Sequence, residues 1–206
     1  MTAHTAAADL ADQADDAMRV IAGAAPLVEV LVSLHDGRIP SVEECGRPLD
    51  AGAAAVSVST SVVTDPETGG DAVARFGPDR VVGTVNARYR SAGQDGWTVY
   101  VEGGEKATGI DVVSFERTVT GLGCGVVIAN CVDREGTGRG FDHTLTRALV
   151  EATGLPVVAS GGSRTVEDLY QGIAEGGASC VLANKMFHSG SVAIEGVRHV
   201  SLPDGR

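Results

Sequence analysis

The chain has 206 residues, of which 43% are hydrophobic and 4% aromatic, and its formal net charge is −11. This length suits one substantial domain, and the scarcity of aromatics requires a core of Val, Ala, Leu and Ile, as in parallel strands covered by helices. The acidic balance argues against nucleic acid and anionic membranes as partners. No apolar run is long enough for a membrane span, and residues 1–25 lack the basic start of a secretory signal, so we expect a cytoplasmic protein.

The four cysteines show no Cys-x-x-Cys spacing. Without a secretory signal they indicate reduced core thiols rather than disulfides or a zinc framework. We therefore expect neither a metal site nor a cofactor. Cys131 lies in a candidate loop, where a nucleophilic role is the alternative to packing, although no histidine flanks it.

The first half of the chain predicts helices and strands in alternation. Apolar residues at helical spacing predict an N-terminal helix within residues 1–25. Ser41-Val-Glu-Glu44 is a capping-box pattern that opens a second helix, and Asp65-Pro66 places a cap and a first-turn proline ahead of a third. The strands predicted between and after these helices span 27–34, 53–59 and 80–86.

The second half repeats the alternation with short connections. Gly93-Gln-Asp-Gly96 predicts a turn between two extended arms, and Thr165-Val-Glu-Asp168 caps a late helix. Helices are predicted over 111–122, 142–152 and 165–175, and strands over 125–130, 155–160 and 178–183. Six strands, each followed by helical sequence, indicate right-handed βαβ units in a parallel sheet. No linker divides the chain, so we expect a single domain over 1–206, with 191–206 as a C-terminal tail.

Two junctions between strand and loop concentrate the groups that a binding or reaction site uses. The stretch from Asn130 to Asp142 follows one predicted strand with glycines, hydroxyls and carboxylates, and Ser160-Gly161-Gly162 follows the next. The carboxyl ends of parallel strands meet at one edge, where α/β proteins build their sites. Glycines there let backbone N–H groups approach an anion. Ser160-Gly161-Gly162 also fits a tight turn from strand to helix, and Asp142 also fits a helix N-cap.

Six stretches match the motifs of one known family in order and spacing. They are Gly52-Ala-Ala-Ala-Val-Ser-Val-Ser-Thr60, Gly103-Gly-Glu-Lys-Ala-Thr-Gly109, Asp133-Arg-Glu-Gly-Thr137, Gly140-Phe-Asp142, Ala159-Ser-Gly-Gly162 and Phe187-His188. On these residues the chain resembles the cyclase subunit of imidazole glycerol phosphate synthase, a (β/α)8 barrel of histidine biosynthesis. The second and fourth stretches favour the cyclase over the related isomerase of the same pathway. The resemblance implies an incomplete parallel (β/α) barrel of TIM type, with about six βα units that match strands 3–8 of the family.

The resemblance also implies that the family's first two strands have no counterpart in this sequence. A competing alignment places Val32-Ser-Leu-His-Asp-Gly-Arg38 on the family's first strand, which puts Ser33 at the first catalytic aspartate. Both alignments lose that carboxylate. A misplaced start codon is one explanation that the sequence leaves open. Six strands on eight-strand geometry leave two unpaired edges, so we expect a homodimer or a heteromer.

The family reaction, as the resemblance implies, is a cyclisation in which two aspartates act as acid and base on a phosphorylated ribulosyl substrate. Their positions are Asn86 and Glu135 here. An amide does not transfer protons near neutral pH, and Glu carries its carboxylate one methylene further out. Asp133 and Arg134 fit a structural ion pair nearby. We expect a cyclase-like lyase of a specialised pathway; the alternative is a non-catalytic relative that binds a phosphate ligand or a partner protein.

The resemblance further implies sites for a phosphorylated substrate. The predicted ligand-binding residues are Ser59, Thr60, Thr108, Gly109, Asn130, Gly136, Ser160, Gly161, Gly162, Asn184 and Lys185. Lys185 stands where the family has a small residue, and it either adds a charge to a phosphate or closes the pocket. At the opposite phosphate site Asp36-Gly37-Arg38 replaces a glycine run. The resemblance also implies a glutamine amidotransferase partner, although Ala55 and Val126 replace two charged residues of the family's ammonia gate.

Overall fold

The computed structural model describes residues 16–23, 31–33, 41–90, 95–193 and 197. These residues form a curled, mainly parallel sheet with alternating helices, which confirms the incomplete (β/α) barrel. Predictions for the start of the N-terminal helix, for Asp36-Gly37-Arg38, for the tip of the turn at 93–94 and for most of the C-terminal tail lie outside the described residues.

Within the described ranges, the sheet has eight strands. They are β1 (Leu31–Ser33), β2 (Ala55–Val58), β3 (Val81–Tyr89), β4 (Trp97–Val101), β5 (Lys106–Asp111), β6 (Val127–Cys131), β7 (Val157–Ser160) and β8 (Cys180–Val181). The parallel order is β1-β2-β3-β6-β7-β8, so the six predicted strands are confirmed and neighbours in the chain are neighbours in the sheet. The second half of β3 pairs antiparallel with β4, which confirms the two extended arms on either side of the predicted turn, and β4 pairs in turn with β5.

Helices follow most of the parallel strands. They are α1 (16–23), α2 (Val42–Asp50), α3 (Thr60–Thr64), α4 (Pro66–Phe76), α5 (Glu116–Gly121), α6 (His143–Thr153), α7 (Val166–Ala174) and α8 (Lys185–His188). The predicted caps are confirmed: Ser41 Oγ accepts from the amide of Glu44 at 3.3 Å, and Thr165 and Asp168 form a capping box at α7. Among the described helices, none has the length and apolar character needed to cross a membrane.

One predicted helix is partly wrong. The sequence predicts a helix over 111–122, but Asp111 ends β5 and the helix begins only at Glu116. Thr108 helps to hold the strand, because its Oγ1 donates to the carbonyl of Val99 on β4 at 2.7 Å. Thr108 and Gly109 therefore lie in a strand rather than in a loop over the site.

Alternation along the strands divides the sheet into an apolar convex face and a polar concave face. The convex face packs against the helices through buried side chains of Val56, Val58, Val81, Val85, Val127, Ala129, Val157 and Ala159. The intervening positions face the interior of the half-barrel, and many of them carry hydroxyls or amides: Ser57, Thr84, Asn86, Asn130 and Ser160. The interior therefore presents hydrogen-bonding groups to whatever occupies it.

The two ends of the sheet are open among the described residues. β1 pairs there with β2 alone, and β8 pairs with β7 alone. Leu31 on β1 and Leu182 beside β8 are 44% and 38% exposed. Unpaired edges of this kind favour pairing with another chain. The homodimer or heteromer stays a prediction.

Candidate functional site

A chain of hydrogen bonds crosses the carboxyl ends of β3, β6 and β7. Parallel register places Asn86 beside Asn130 and Asn130 beside Ser160, so the three side chains share the concave face. Asn130 Nδ2 donates to Asn86 Oδ1 at 2.9 Å, and Ser160 Oγ donates to Asn130 Oδ1 at 3.0 Å. This direction of donation leaves the Nδ2 group of Asn86 able to donate to a ligand.

The polar network lines the first cavity, the interior cavity, which has a volume of about 340 Å³ on the concave face. Its hydrogen-bonding side chains are Ser33, Ser57, Ser59, Thr84, Asn86, Asn130, Glu135 and Ser160. Glu135 is the one ionisable residue among the described residues that line it. The interior cavity therefore suits a neutral, hydroxyl-rich group.

A second cavity, the exit cavity, lies where β6, β7 and β8 end and has a volume of about 520 Å³. It brings together eight residues predicted from the sequence: Asn130, Glu135, Gly136, Ser160, Gly161, Gly162, Asn184 and Lys185. Ser163, Leu182 and His188 complete its described lining. Asn130, Glu135 and Ser160 line both cavities, so the two are continuous at the mouth of the half-barrel.

The glycine pair after β7 packs directly against other backbone. Gly161 has φ +91°, and a Cβ there would lie 2.5 Å from the carbonyl oxygen of Cys131. Gly162 has φ +105°, and a Cβ there would overlap the carbonyl of Gly140. Among the described residues, no acceptor is bound to the amides of Gly161, Gly162 and Ser163. The segment is thus a tight turn, as one interpretation has it, and it also leaves three adjacent backbone donors available to an anion.

Lys185 connects α8 with the loop after β6. Its Nζ donates to the carbonyl of Gly136 at 2.8 Å, and the side chain is exposed. Because the exit cavity persists beside it, Lys185 contributes a positive charge without closing the space. Glu135 is the opposing carboxylate in the described lining, and His188 is the remaining titratable group.

The family model described as "Histidine biosynthesis protein" matches residues 5–193. The chain belongs to this family. The match includes every described strand and both cavities described above, and its description does not specify the cyclase.

In this histidine biosynthesis family member, Asp133 and Arg134 do not pair with each other, so that prediction is wrong. Asp133 Oδ2 accepts from the amide of Tyr89 at 2.7 Å, and its other oxygen lies 3.8 Å from Arg88. Arg134 instead donates to the carbonyl of Arg139 at 2.9 Å. Both residues hold the loop after β6, but through separate partners.

Asp142 caps α6 and fixes the wall behind the cavities. It is 4% exposed; Oδ1 accepts from the amide of Leu145 at 3.1 Å and Oδ2 from Trp97 Nε1 at 3.0 Å. This confirms the N-cap interpretation. Burial, followed by the nearby Asp142 carboxylate, raises the pKa of the Cys131 thiol to about 12. A thiol that stays protonated near neutral pH is a core group rather than a nucleophile.

Three predicted ligand residues lie outside the interior and exit cavities. Thr60 is buried, and its Oγ1 accepts from the amide of Glu102 at 3.0 Å. Thr108 and Gly109 lie on β5. Their role in binding stays a prediction. The sequence missed Ser57, Thr84, Ser163 and His188, which line the two cavities.

A third cavity, of about 500 Å³, lies at the amino-terminal end of the half-barrel. Ala55 and Val126 line it together with the charged pair Asp79 and Arg80. Arg80 donates to the carbonyl of Ala53 at 3.1 Å, so its guanidinium also stabilises the backbone just before β2. The amidotransferase partner stays a prediction. Across the described residues of this family member, no group of three His, Cys, Asp or Glu side chains is placed to hold a metal ion.

Proposed function

We propose that this chain binds the phosphoryl group of a ribosyl- or ribulosyl-type ligand in the exit cavity. The observation that carries the proposal is the convergence of three available amides, at Gly161, Gly162 and Ser163, with the ammonium of Lys185 on one cavity. Adjacent backbone N–H groups and a lysine are the groups with which α/β proteins bind phosphate. Family membership supports this ligand class, because the resemblance implies a phosphorylated substrate.

The interior cavity supports the sugar part of the same ligand. Asn86, Asn130 and Ser160 form a connected hydrogen-bond network, and Thr84 and Ser57 lie deeper, with their hydroxyl oxygens 2.6 Å apart. Hydroxyl and amide groups donate and accept, so they match a polyhydroxylated chain at several points. A phosphate in the exit cavity then places the rest of the ligand over these groups.

The geometry supports binding better than it supports the family's acid–base cyclisation. That reaction requires one group that accepts a proton and another that donates one. Glu135 is the one carboxylate in the described lining of the interior and exit cavities, and the second position holds the Asn86 amide, which is bonded to Asn130. We therefore infer a non-catalytic relative that retains ligand binding.

Asn184→Asp tests the phosphate site with a nearly isosteric change. Asn184 is exposed, lines the exit cavity and makes no side-chain cap bond at α8, so a carboxylate is tolerated there. Its negative charge repels the phosphoryl group, and we expect ribose 5-phosphate affinity to fall by about tenfold or more. Isothermal titration calorimetry measures this.

The control for that variant is Asn184→Ser, which keeps a neutral N-cap residue and is expected to bind within about twofold of the unmodified chain. Ribose without phosphate is expected to bind far more weakly than ribose 5-phosphate. Equal affinities for Asn184→Asp and Asn184→Ser would place the phosphate elsewhere.

A cyclase-like lyase is the second candidate, and one observation favours it. Asn86 and Glu135, at the two positions that the resemblance assigns to proton transfer, line the same interior cavity. A chain with residual cyclase activity supports growth of a histidine auxotroph that lacks the cyclase. No growth, together with retained binding of ribose 5-phosphate, leaves the binding function alone.

Asn86→Asp tests whether the missing carboxylate is what limits catalysis. An aspartate there keeps the acceptor for Asn130 Nδ2 and adds a group that transfers protons. On the second candidate, this variant gains turnover of the cyclase substrate by about tenfold or more, within the range of general acid–base contributions. If turnover stays at background in both the unmodified chain and Asn86→Asp, and the two bind ribose 5-phosphate equally, the second candidate is rejected.

A further inference from the structure

A further polar cavity, which we call the outer cavity, lies beside the exit cavity at Lys185 and has a volume of about 290 Å³. Its polar side chains belong to Thr137, Ser163, Arg164, Lys185, Ser189 and Ser191. Gly136, Ser163 and Lys185 line the exit and the outer cavity alike. The two spaces therefore share one wall, and Lys185 stands between them.

The charge of the outer cavity is opposite to that of the chain. The whole chain carries −11, yet the described lining of this cavity holds two basic residues, Arg164 and Lys185, and no Asp or Glu. Basic groups that converge without a local carboxylate create a positive potential even on an acidic protein. Such a space favours an anion.

Arg164 is exposed, packs through its aliphatic carbons and forms no ion pair with the described residues. Gly138 has φ +69°, and a Cβ there would lie 3.0 Å from Arg164 Cδ, so the aliphatic part of the arginine rests on this glycine. Asp168, four residues further along, instead accepts from the backbone amides of Arg164 and Thr165, each at 2.8 Å. Within the described part of the chain, the guanidinium has no hydrogen-bond acceptor. A positioned guanidinium in this state can bind a phosphate with two parallel bonds.

Lys185 supplies the other donors of the outer cavity. The bond to Gly136 uses one of the three N–H groups of Lys185, which leaves two for anions on either side. Ser189 Oγ donates to the carbonyl of Met186 at 3.2 Å and lies 2.7 Å from Ser191 Oγ, so these two hydroxyls are already hydrogen-bonded at the cavity wall.

We propose that the outer cavity binds a second phosphoryl group, so that the ligand carries a diphosphate whose two phosphates lie on either side of Lys185. This inference rests on the proposed function, which places the first phosphate in the exit cavity. The shared lining at Gly136, Ser163 and Lys185 makes the two phosphate positions adjacent, as the two halves of a diphosphate are.

The test compares inorganic pyrophosphate with inorganic phosphate by isothermal titration calorimetry on the full chain. We expect the unmodified chain to bind pyrophosphate about tenfold or more tightly than phosphate. Arg164→Gln is expected to weaken pyrophosphate by about tenfold or more and to change phosphate by less than about twofold. Arg139→Gln is the matched control, because it removes one positive charge from the same region at an exposed residue outside the cavity lining. It is expected to change neither affinity by more than about twofold.

The outcomes distinguish failure of the diphosphate proposal from failure of the proposed function. If Arg164→Gln leaves pyrophosphate binding unchanged, the diphosphate proposal is overturned. Equal losses for phosphate and pyrophosphate also overturn it, since a single free phosphate then occupies the outer cavity. Asn184→Asp reports on the exit cavity alone. If it is silent while Arg164→Gln weakens pyrophosphate, the proposed function fails and the outer site stands. No binding of either anion to the unmodified chain contradicts both.

Discussion

Replacing Gly162 with alanine lowers the free energy of unfolding by about 3 kcal/mol or more. Gly162 has φ +105°, a backbone region that side chains disfavour, and its added Cβ would overlap the carbonyl of Gly140 and lie 3.0 Å from Arg134 Cβ. Gly140 is fixed in turn, because its amide donates to the carbonyl of Gly162 at 2.9 Å. Neither segment can yield without breaking the contact between the β6 and β7 loops. Urea denaturation followed by circular dichroism measures the loss.

Gly154→Ala is the matched control for backbone strain without crowding. Gly154 has φ +66° at the end of α6, and no heavy atom lies within 4 Å of a Cβ built there. Its replacement is expected to cost about 1 kcal/mol, which is the penalty of a left-handed conformation alone. Equal losses for Gly162→Ala and Gly154→Ala would show that the close approach of the two loops is wrong.

Asp142→Ala is expected to destabilise the fold by about 3 kcal/mol. The change removes the N-cap of α6, which is worth about 1 kcal/mol. It also leaves the indole N–H of Trp97 without its acceptor, which costs about 1–3 kcal/mol when the group is buried. Asp142 and Trp97 are 4% and 9% exposed, so water replaces the lost oxygen poorly. The measurement is again the free energy of unfolding in urea.

A double-mutant cycle separates the two contributions of Asp142. Trp97→Phe removes the buried donor, so Asp142→Ala in that background should cost only the cap. We expect a coupling energy of about 1 kcal/mol or more between the two residues. Trp97 is the only tryptophan of the chain, so the cycle is followed by circular dichroism rather than fluorescence. Additive losses, within about 0.3 kcal/mol, would contradict the Trp97–Asp142 bond.

The fold was predictable where local chemistry decides it. Ser41 and Thr165 predict where their helices begin, because their hydroxyls accept from amides only three residues away. β5 could not be predicted from local sequence, because the strand depends on its pairing with β4. The sequence instead predicts that a helix begins at the last residue of β5, Asp111. Strand pairing overrode local propensity there.

The candidate site was predictable in its loops and not in its interior. Alternation does carry part of the missing signal: Thr84 and Asn86 are two residues apart on β3 and so share a face, and Ser57 lies on β2 with Ser59 directly after that strand. The contact of Lys185 with Gly136 spans 49 positions, and no local sequence pattern predicts it. The backbone contacts of Gly161 and Gly162 depend in the same way on two loops that meet only in the folded chain.

The proposed function requires that the segment after β7 binds a phosphoryl group, and amide chemical shifts report on that segment directly. In a titration of the isotopically labelled chain with ribose 5-phosphate, the amide resonances of Gly161, Gly162 and Ser163 are expected to shift most, with saturation at the calorimetric affinity. The Nδ2 resonance of Asn86 is expected to follow as the sugar enters the interior cavity. Saturable binding that leaves the amide resonances of residues 161–163 unshifted would contradict phosphate binding by this segment.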